Sequence, residues 1–185
     1  MNRTKKFFYN TITTGFYQVI VMLAGFVTPR FMLKYYGSEV NGLVSSINQF
    51  IVYFNLVEAG LSGAAIYALY KPLADNNYKG INSIVSAARK FYTQSGYIFL
   101  SLTIGLAAIY HLLVKTNAVM PLNVCLLVLI LGVNGSLEFF TLAKYRVLLT
   151  ADQKTYVVSL ASAVHIVVNT IIIVILARLK VNIVV

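Results

Sequence analysis

The chain has 185 residues, of which 59% are hydrophobic and only 11% are charged, and its mean hydropathy is +0.79. Soluble domains average roughly 45–50% apolar and about 25% charged residues. This composition therefore argues against a soluble enzyme, a disordered chain or a disulfide-rich secreted domain, and it indicates an integral membrane protein. The single cysteine, Cys125, lies inside an apolar run and offers no disulfide framework.

Five stretches are nearly free of charge, and each is long enough to cross a bilayer as a helix, which needs about 20 apolar residues. They predict an all-α membrane protein of about five transmembrane helices, with spans near residues 7–29, 43–70, 94–114, 120–143 and 156–177. Strands of a membrane barrel would alternate in polarity, whereas these runs are continuously apolar. The first run is too long and too polar for a signal peptide, so we expect it to be retained as a helix.

The segment between the second and third spans has its own pattern. Apolar residues recur at helical spacing near 80–91, with serine and basic residues on the other side. This pattern predicts a short amphipathic helix on the membrane surface. The alternative is that the segment is simply the beginning of the third span.

The basic residues give an orientation. The chain carries 15 Lys and Arg against 5 Asp and Glu, and the cations between spans favour the side of the N-terminus by two to one. The positive-inside rule then places the N-terminus in the cytoplasm. Because the cations lie between apolar runs, we read them as orienting the protein in the membrane and expect no nucleic-acid partner.

Charged residues within or beside a span are costly and often functional. Glu58 lies inside the second span, where it fits a proton or cation site or a cavity wall; the alternative is a carboxyl bonded to a neighbouring helix. Arg30 follows Pro29, which is expected to break or kink the first helix. Arg30 and Lys34 fit an anion site, and the alternative is that both extend to the outer interface.

Several amides lie within the predicted spans. A cavity that bonds sugar hydroxyls would use such amides, and so would hydrogen bonds between helices. They are Asn48, Gln49, Asn55, Asn134 and Asn169.

Signals of catalysis are nearly absent from the sequence. His111 and His165 lie on different predicted spans at no ligand spacing, and no familiar catalytic or nucleotide-binding motif occurs. We therefore expect no enzyme activity, no metal site and no cofactor. His165, near the middle of the fifth span, is expected to bond to a neighbouring helix.

Four segments, taken together, resemble a known family. They are Pro29–Phe50 (PRFMLKYYGSEVNGLVSSINQF), Leu56–Asn77 (LVEAGLSGAAIYALYKPLADNN), Arg89–Tyr92 (RKFY) and Lys144–Leu160 (KYRVLLTADQKTYVVSL). In this order and spacing the chain resembles the N-terminal part of the Wzx-type oligosaccharide flippases. That family belongs to the multidrug/oligosaccharidyl-lipid/polysaccharide exporter superfamily.

The resemblance implies two lobes of helices around a central cavity that opens alternately inward and outward. The implied substrate is an oligosaccharide on a polyprenyl pyrophosphate carrier, moved across the cytoplasmic membrane for capsule, O-antigen or another surface glycan. Membrane lipid, a polysaccharide polymerase and glycosyltransferases are the other expected partners. Family members commonly place a cation near the end of the first helix, where Arg30 and Lys34 lie. Together with Glu58 and Asn55, these residues form the predicted substrate site.

Two alternatives stay open at this stage. One is a cation-coupled drug exporter of the same fold, with Glu58 as the coupling acid. The other is a membrane scaffold for a glycan-assembly complex, acting through the helix near 80–91. Because five spans are less than one lobe of the family, the chain is expected to be part of a longer protein.

Overall fold

The structure is a computed structural model that describes residues 3–113, 120–179 and 181. These residues are helical almost throughout and contain no strand. The elements in chain order are α1 (Arg3–Phe54), a 3-10 helix (Asn55–Glu58), α2 (Leu61–Ala74), α3 (Tyr78–Leu113), α4 (Pro121–Thr141), α5 (Ala143–Ala151) and α6 (Thr155–Arg178). The prediction of an all-helical chain is confirmed for this part of the sequence.

α1 is divided into two arms at Gly37, where the backbone has φ 84° and ψ 173°. That region is open to glycine and strained for other residues. Pro29 lies inside the first arm, whose dihedral angles stay helical around it, so the expected break at Pro29 is wrong. Helices in a membrane protein tolerate proline because neighbouring groups satisfy the freed carbonyl.

The predicted second span, 43–70, is an interrupted helix rather than a continuous one. It comprises most of the second arm of α1, the 3-10 helix and the first part of α2. Ala59 leaves the helical region with ψ 122°, and Gly60 adopts a left-handed conformation with φ 86°. The interruption lies directly after Glu58.

α3 is one helix of 36 residues, so the segment near 80–91 does not form the separate short helix that was predicted and is the N-terminal part of α3. The reason lies in the packing. Ala88 is buried in a cluster with Leu69 of α2, and Ile84 and Val85 pack against the same cluster. Most of the apolar side of this segment therefore packs against protein, while Phe91 at its end is 53% exposed.

The helices run between two common ends of the bundle. Lys6 and Asn10, early in α1, bond to the turn after α5, and Tyr36 donates to the carbonyl of Val181, just beyond α6, at 2.7 Å. The first arm of α1 therefore runs beside α6 in the same direction. We call the end that holds Lys6 the basic end and the other the Gly37 end.

Two clusters form the core. One joins α2, α3, α4 and α5 around Leu69, Phe99 and Phe139. The other joins the second arm of α1, α3 and α4 around Ile47 and Val128. The first arm of α1 packs instead along α6 and contributes to neither cluster, which leaves space between it and the core helices.

Three stretches of the described residues are long and apolar enough to cross a membrane: Thr4–Glu58, Pro121–Thr141 and Thr155–Arg178. Their outer faces expose large apolar side chains, for example Phe26 at 69% and Ile172 at 48%. Many large apolar side chains exposed along long apolar helices are typical of a surface that faces a membrane. It is the surface that hydrocarbon chains would cover.

Candidate functional site: an amide-lined cavity

A cavity of about 650 Å³ lies between both arms of α1, α4 and α6. Its volume falls within the usual range for small-molecule sites, about 300–1,000 Å³. The cavity exists because the first arm of α1 packs against α6, whereas the second arm packs against α3 and α4. The turn at Gly37 opens the space between the two arms.

Polar but uncharged side chains line part of this cavity. Among the described residues they are Thr28, Tyr36, Asn41, Ser45, Asn48, Asn134, Asn169 and Thr170. Each amide offers two hydrogen-bond donors and an acceptor, and each hydroxyl offers one donor and two acceptor lone pairs. No Asp, Glu, Lys or Arg of the described residues lines the cavity. The lining therefore suits a neutral ligand rich in hydroxyl groups.

Helical periodicity brings these groups together. Asn41, Ser45 and Asn48 follow one another at intervals of four and three residues, so they share one face of the second arm. Asn134 of α4 and Asn169 of α6 meet that face across the cavity. Asn48, Asn134 and Asn169 are exposed, which leaves their amides accessible from the cavity.

Sequence reasoning identified part of this site. The structure brings Asn48, Asn134 and Asn169 to one cavity, whereas Gln49 and Asn55 lie outside its lining. Asn41 was missed because it precedes the predicted start of the second span. Its helical spacing from Asn48 was the available signal.

Glu58 and Asn55 lie in the 3-10 helix and do not line the cavity. Ser62 donates a hydrogen bond to the Glu58 carboxylate, and the Ser62 and Tyr92 hydroxyl oxygens are 2.8 Å apart. Glu58 is thus linked through Ser62 to α3. This arrangement matches the alternative in which the carboxyl is held by its neighbours.

Arg30 and Lys34 are exposed near the Gly37 end and also lie outside the cavity lining. Lys34 Nζ is 5.6 Å from the centre of the Tyr35 ring. The Tyr35 ring stacks on Phe31 at 6.2 Å, and the Arg178 guanidinium lies 5.7 Å from the Phe31 ring. Two cations and two rings form a positively charged cluster, with Arg178 not anticipated from the sequence.

At the basic end, Lys6 and Asn10 of α1 form hydrogen bonds with residues 152–156, at the turn before α6. We call this group of polar contacts the clasp. Lys6 donates to the Asp152 carbonyl at 2.8 Å and to its carboxylate at 3.0 Å. Asn10 donates to the Gln153 carbonyl at 3.0 Å and accepts from the Tyr156 amide at 2.8 Å. The second bond satisfies an amide in the first turn of α6 that the helix itself leaves unpaired.

The clasp shifts the ionisation of its members. Partial burial favours the neutral acid, but hydrogen bonds and charge from Lys154 and Lys6 outweigh that effect and lower the pKa of Asp152. The hydrogen bond to Asp152 and its negative charge raise the pKa of Lys154. Each charged form therefore stabilises the other.

The remaining candidates are the histidines and any group of side chains that could hold a metal ion. Among residues 3–113 and 120–179, no three His, Cys, Asp or Glu side chains group as metal ligands. His165 is exposed on α6 and does not line the cavity; the His111 side chain lies outside the described part of the chain.

The described residues define an all-helical protein whose long apolar helices and exposed apolar surface indicate a membrane protein. A polar, uncharged cavity lies between those helices. No protein-family model, curated protein or solved structure matches the chain.

Proposed function

We propose that the chain forms helices of a membrane exporter that moves a lipid-linked oligosaccharide across the cytoplasmic membrane by alternating access. The observation that carries this proposal is the cavity with four asparagines and no charged lining residue. Sugar hydroxyls bond well to such amides, whereas a charged group held inside the cavity would call for countercharges in its lining. The sequence resemblance to the Wzx-type flippases points to the same substrate class.

The proposal includes five membrane crossings with the N-terminus in the cytoplasm. Its support is the arrangement of helices between the basic end and the Gly37 end. The two arms of α1, together with α2, account for two crossings. α3, α4 with α5, and α6 account for the other three. The positive-inside rule assigns the basic end to the cytoplasm.

The positively charged cluster at the Gly37 end offers a binding site for the negative charge of the pyrophosphate. Guanidinium and ammonium groups bind phosphate oxygens by charge-assisted hydrogen bonds. In this scheme Arg178, Arg30 and Lys34 attract the pyrophosphate on the outer side, while the amides hold the glycan. In this scheme Glu58 and Asn55 are part of the interruption in the predicted second span and do not bind the substrate.

The packing weakens both alternatives. A scaffold acting through residues 80–91 needs a free apolar face, and most of that face packs against the core cluster that includes α2 and α5. A drug exporter that uses Glu58 needs this carboxylate in contact with the transport path, and the structure links it to Ser62 instead.

The test is export in the source cells after the gene is deleted and restored with variants. Asn48→Leu, Asn134→Leu and Asn169→Leu should each lower surface polysaccharide by roughly 2- to 10-fold, because a lost hydrogen bond costs about 0.5–1.5 kcal/mol. The triple variant should lower it further. Asn82→Leu, the same change on an exposed face of α3, is the matched control. Undiminished glycan export with the triple variant at normal membrane abundance would contradict the proposal.

A further inference from the structure

Three basic side chains lie on the outer surface of the bundle, where α3 passes the junction of α4 and α5. They are Arg89 and Lys90 of α3, both exposed, and Lys144 of α5, which is partly exposed. None of them lines the amide-lined cavity. We call them the three-cation site, and the helix contacts around them place them at one level of the bundle.

Two glycine contacts give the relative direction of α3 and α4. A methyl group on Gly96 of α3 would overlap the Phe140 ring, and one on Gly132 of α4 would overlap the Thr103 side chain. The later residue of α3 thus meets the earlier residue of α4, so the two helices are antiparallel. Leu142 keeps helical dihedral angles between α4 and α5. The basic end is therefore reached backward along α3 and forward into α5.

This geometry brings the three cations together. The Tyr97 and Phe140 rings are in contact, with their centres 5.4 Å apart. Lys144 lies one turn beyond Phe140 on the same side of its helix, and Lys90 lies two turns before Tyr97 on the same side of α3. Arg89 adjoins Lys90. All three cations are thus on the basic-end side of one pair of aromatic rings.

The charge of the three-cation site has no acid set against it. The nearest acid to Lys144 in sequence is Glu138, and it pairs with Arg146. Lys144 Nζ lies instead 4.7 Å from the centre of the Tyr145 ring, a contact that leaves its charge in place. Among the described residues, the ion pairs at the basic end do not involve the other two members of the site.

An apolar surface adjoins this positive charge. Tyr97 is 62% exposed and Ile98 is 52% exposed, about two turns from Lys90 toward the Gly37 end. Aromatic residues beside basic ones are typical of the membrane–water interface. A ligand that satisfies both surfaces has to join an anionic group to hydrocarbon chains.

We propose that the three-cation site binds the phosphate of an anionic diacyl phospholipid, in the leaflet on the side of the basic end. Guanidinium and ammonium groups bind the phosphate oxygens by charge-assisted hydrogen bonds. The acyl chains lie along α3 and α4, past Tyr97 and Ile98. This role is separate from export and does not depend on the molecule that is exported.

The position of the cavity favours a membrane lipid over the exported molecule as the occupant. Leu131 and Asn134 line the cavity from α4. In helical projection they lie on a different side of α4 from Phe140, which marks the three-cation site. The α4 helix therefore stands between the site and the cavity, and a molecule at the site faces the surrounding lipid.

The test uses fluorescence quenching by brominated lipids. The chain has no tryptophan, so one introduced tryptophan gives a local signal. Tyr97→Trp reports on the site, and Phe26→Trp, at an exposed position of α1, reports on ordinary lipid contact. Each protein is purified from its own membranes into phosphatidylcholine nanodiscs. These contain a minor fraction of either brominated phosphatidylglycerol or brominated phosphatidylcholine.

We expect position 97 to favour phosphatidylglycerol over phosphatidylcholine by roughly 5-fold or more, because each basic residue at an anionic lipid surface contributes about a 5-fold preference. Position 26 should show no preference. Neutralising the site should reduce the preference at position 97 to the value at position 26. The variant that does so combines Arg89→Gln, Lys90→Gln and Lys144→Gln.

The matched control removes the same number of charges from exposed positions elsewhere near the basic end. It combines Lys5→Gln, Lys71→Gln and Lys79→Gln. This control should keep most of the preference at position 97, since the bound phosphate is held by the three-cation site. Circular dichroism of both combined variants checks that their helix content is unchanged.

Three results would overturn the inference. Equal quenching by the two brominated lipids at position 97, with every cation intact, would show that the site does not select an anionic lipid. This comparison needs no folded triple variant. Equal losses in the two triple variants would assign the preference to overall charge. Displacement of brominated phosphatidylglycerol by polyprenyl phosphate, but not by unlabelled phosphatidylglycerol, would assign the site to an isoprenoid lipid. No glycan enters this test, so its failure is distinct from failure of the export proposal.

Discussion

At the scale of single residues, Asp152 has the largest set of described ionic contacts. Its carboxylate meets Lys6 of α1 at 3.0 Å and Lys154 of the same turn at 2.6 Å. It is one third exposed, so solvent screening limits each pair to about 1 kcal/mol or less. The Lys6–Asp152 contact matters because of its position. It joins residues distant in sequence and holds the first arm of α1 to the turn before α6 at the basic end.

The pKa shifts give this clasp a defined pH range. Because the pKa of Asp152 is lowered on folding, its contribution to stability is complete above the ordinary carboxyl pKa and is lost as pH falls through the lower folded value. Because the pKa of Lys154 is raised, its contribution is complete below the ordinary lysine pKa and is lost as pH rises through the higher folded value. The clasp is thus strongest between about pH 4 and pH 10.

Asp152→Asn should lower the thermal midpoint of the detergent-solubilised protein at neutral pH, because both lysines lose their countercharge. The difference from the unchanged protein should shrink in acid, as the native carboxylate becomes protonated. Thermal unfolding followed by circular dichroism across pH 3–8 measures both effects. Asp75→Asn, an exposed acid in the turn between α2 and α3, is the control. A difference that stays constant down to about pH 3 would show that the carboxylate charge does not stabilise the fold.

At the scale of elements, two glycines decide how helices turn and approach. Gly37 supplies the reversal within α1 through a backbone conformation with positive φ. Gly132 permits the close approach of α4 to α3, because a methyl group there would overlap the Thr103 side chain. The sequence drew attention to Pro29 instead, since proline is a familiar helix breaker. The sequence around a glycine does not show whether it adopts a positive φ or permits a close helix contact.

Gly132→Ala should destabilise the α3–α4 pair by about 1–3 kcal/mol, the usual cost of overpacking a core. Gly105→Ala on α3 is the matched control, because a methyl group there meets nothing within 4 Å. It should leave stability unchanged or raise it by about 1 kcal/mol, as alanine favours helix. The thermal midpoint in detergent compares the two.

Adding Thr103→Ala to Gly132→Ala should recover part of the loss, since it removes the overlapping atoms. The recovery will be incomplete because Thr103 also donates to the Phe99 carbonyl at 3.0 Å. Equal thermal midpoints for Gly132→Ala and Gly105→Ala would mean that α3 and α4 can move apart at this contact without loss of stability.

At the scale of the whole molecule, the proposed five crossings place Ser38 and Ser83 on opposite sides of the membrane. Ser38 follows the Gly37 turn, and Ser83 lies near the start of α3; both are exposed. In a protein with Cys125→Ser, we expect Ser38→Cys to react with an impermeant maleimide added to intact cells. Ser83→Cys should react only after permeabilisation. Labelling of both from the same side would contradict the five-span topology, and an exchanged pattern would reverse its orientation.

The sequence by itself determined the helical class, the apolar character and the ends that carry positive charge. These properties follow from hydropathy and charge, which belong to each residue and sum along a segment. They also predicted α6 almost to its ends, since residues 155–177 form a mainly apolar run without a charged side chain. The same reasoning identified Asn48, Asn134 and Asn169 as amides within apolar segments.

Only the tertiary structure decided which of those amides share a cavity and which predicted residues lie elsewhere. The cavity forms where the two arms of α1 separate toward different neighbours. That separation depends on contacts between residues far apart in the chain, such as Lys6 with Asp152 and Ile47 with Val128. Local patterns place a side chain on a helix face, whereas a cavity is a gap between faces, and the gap is fixed by how all the helices pack.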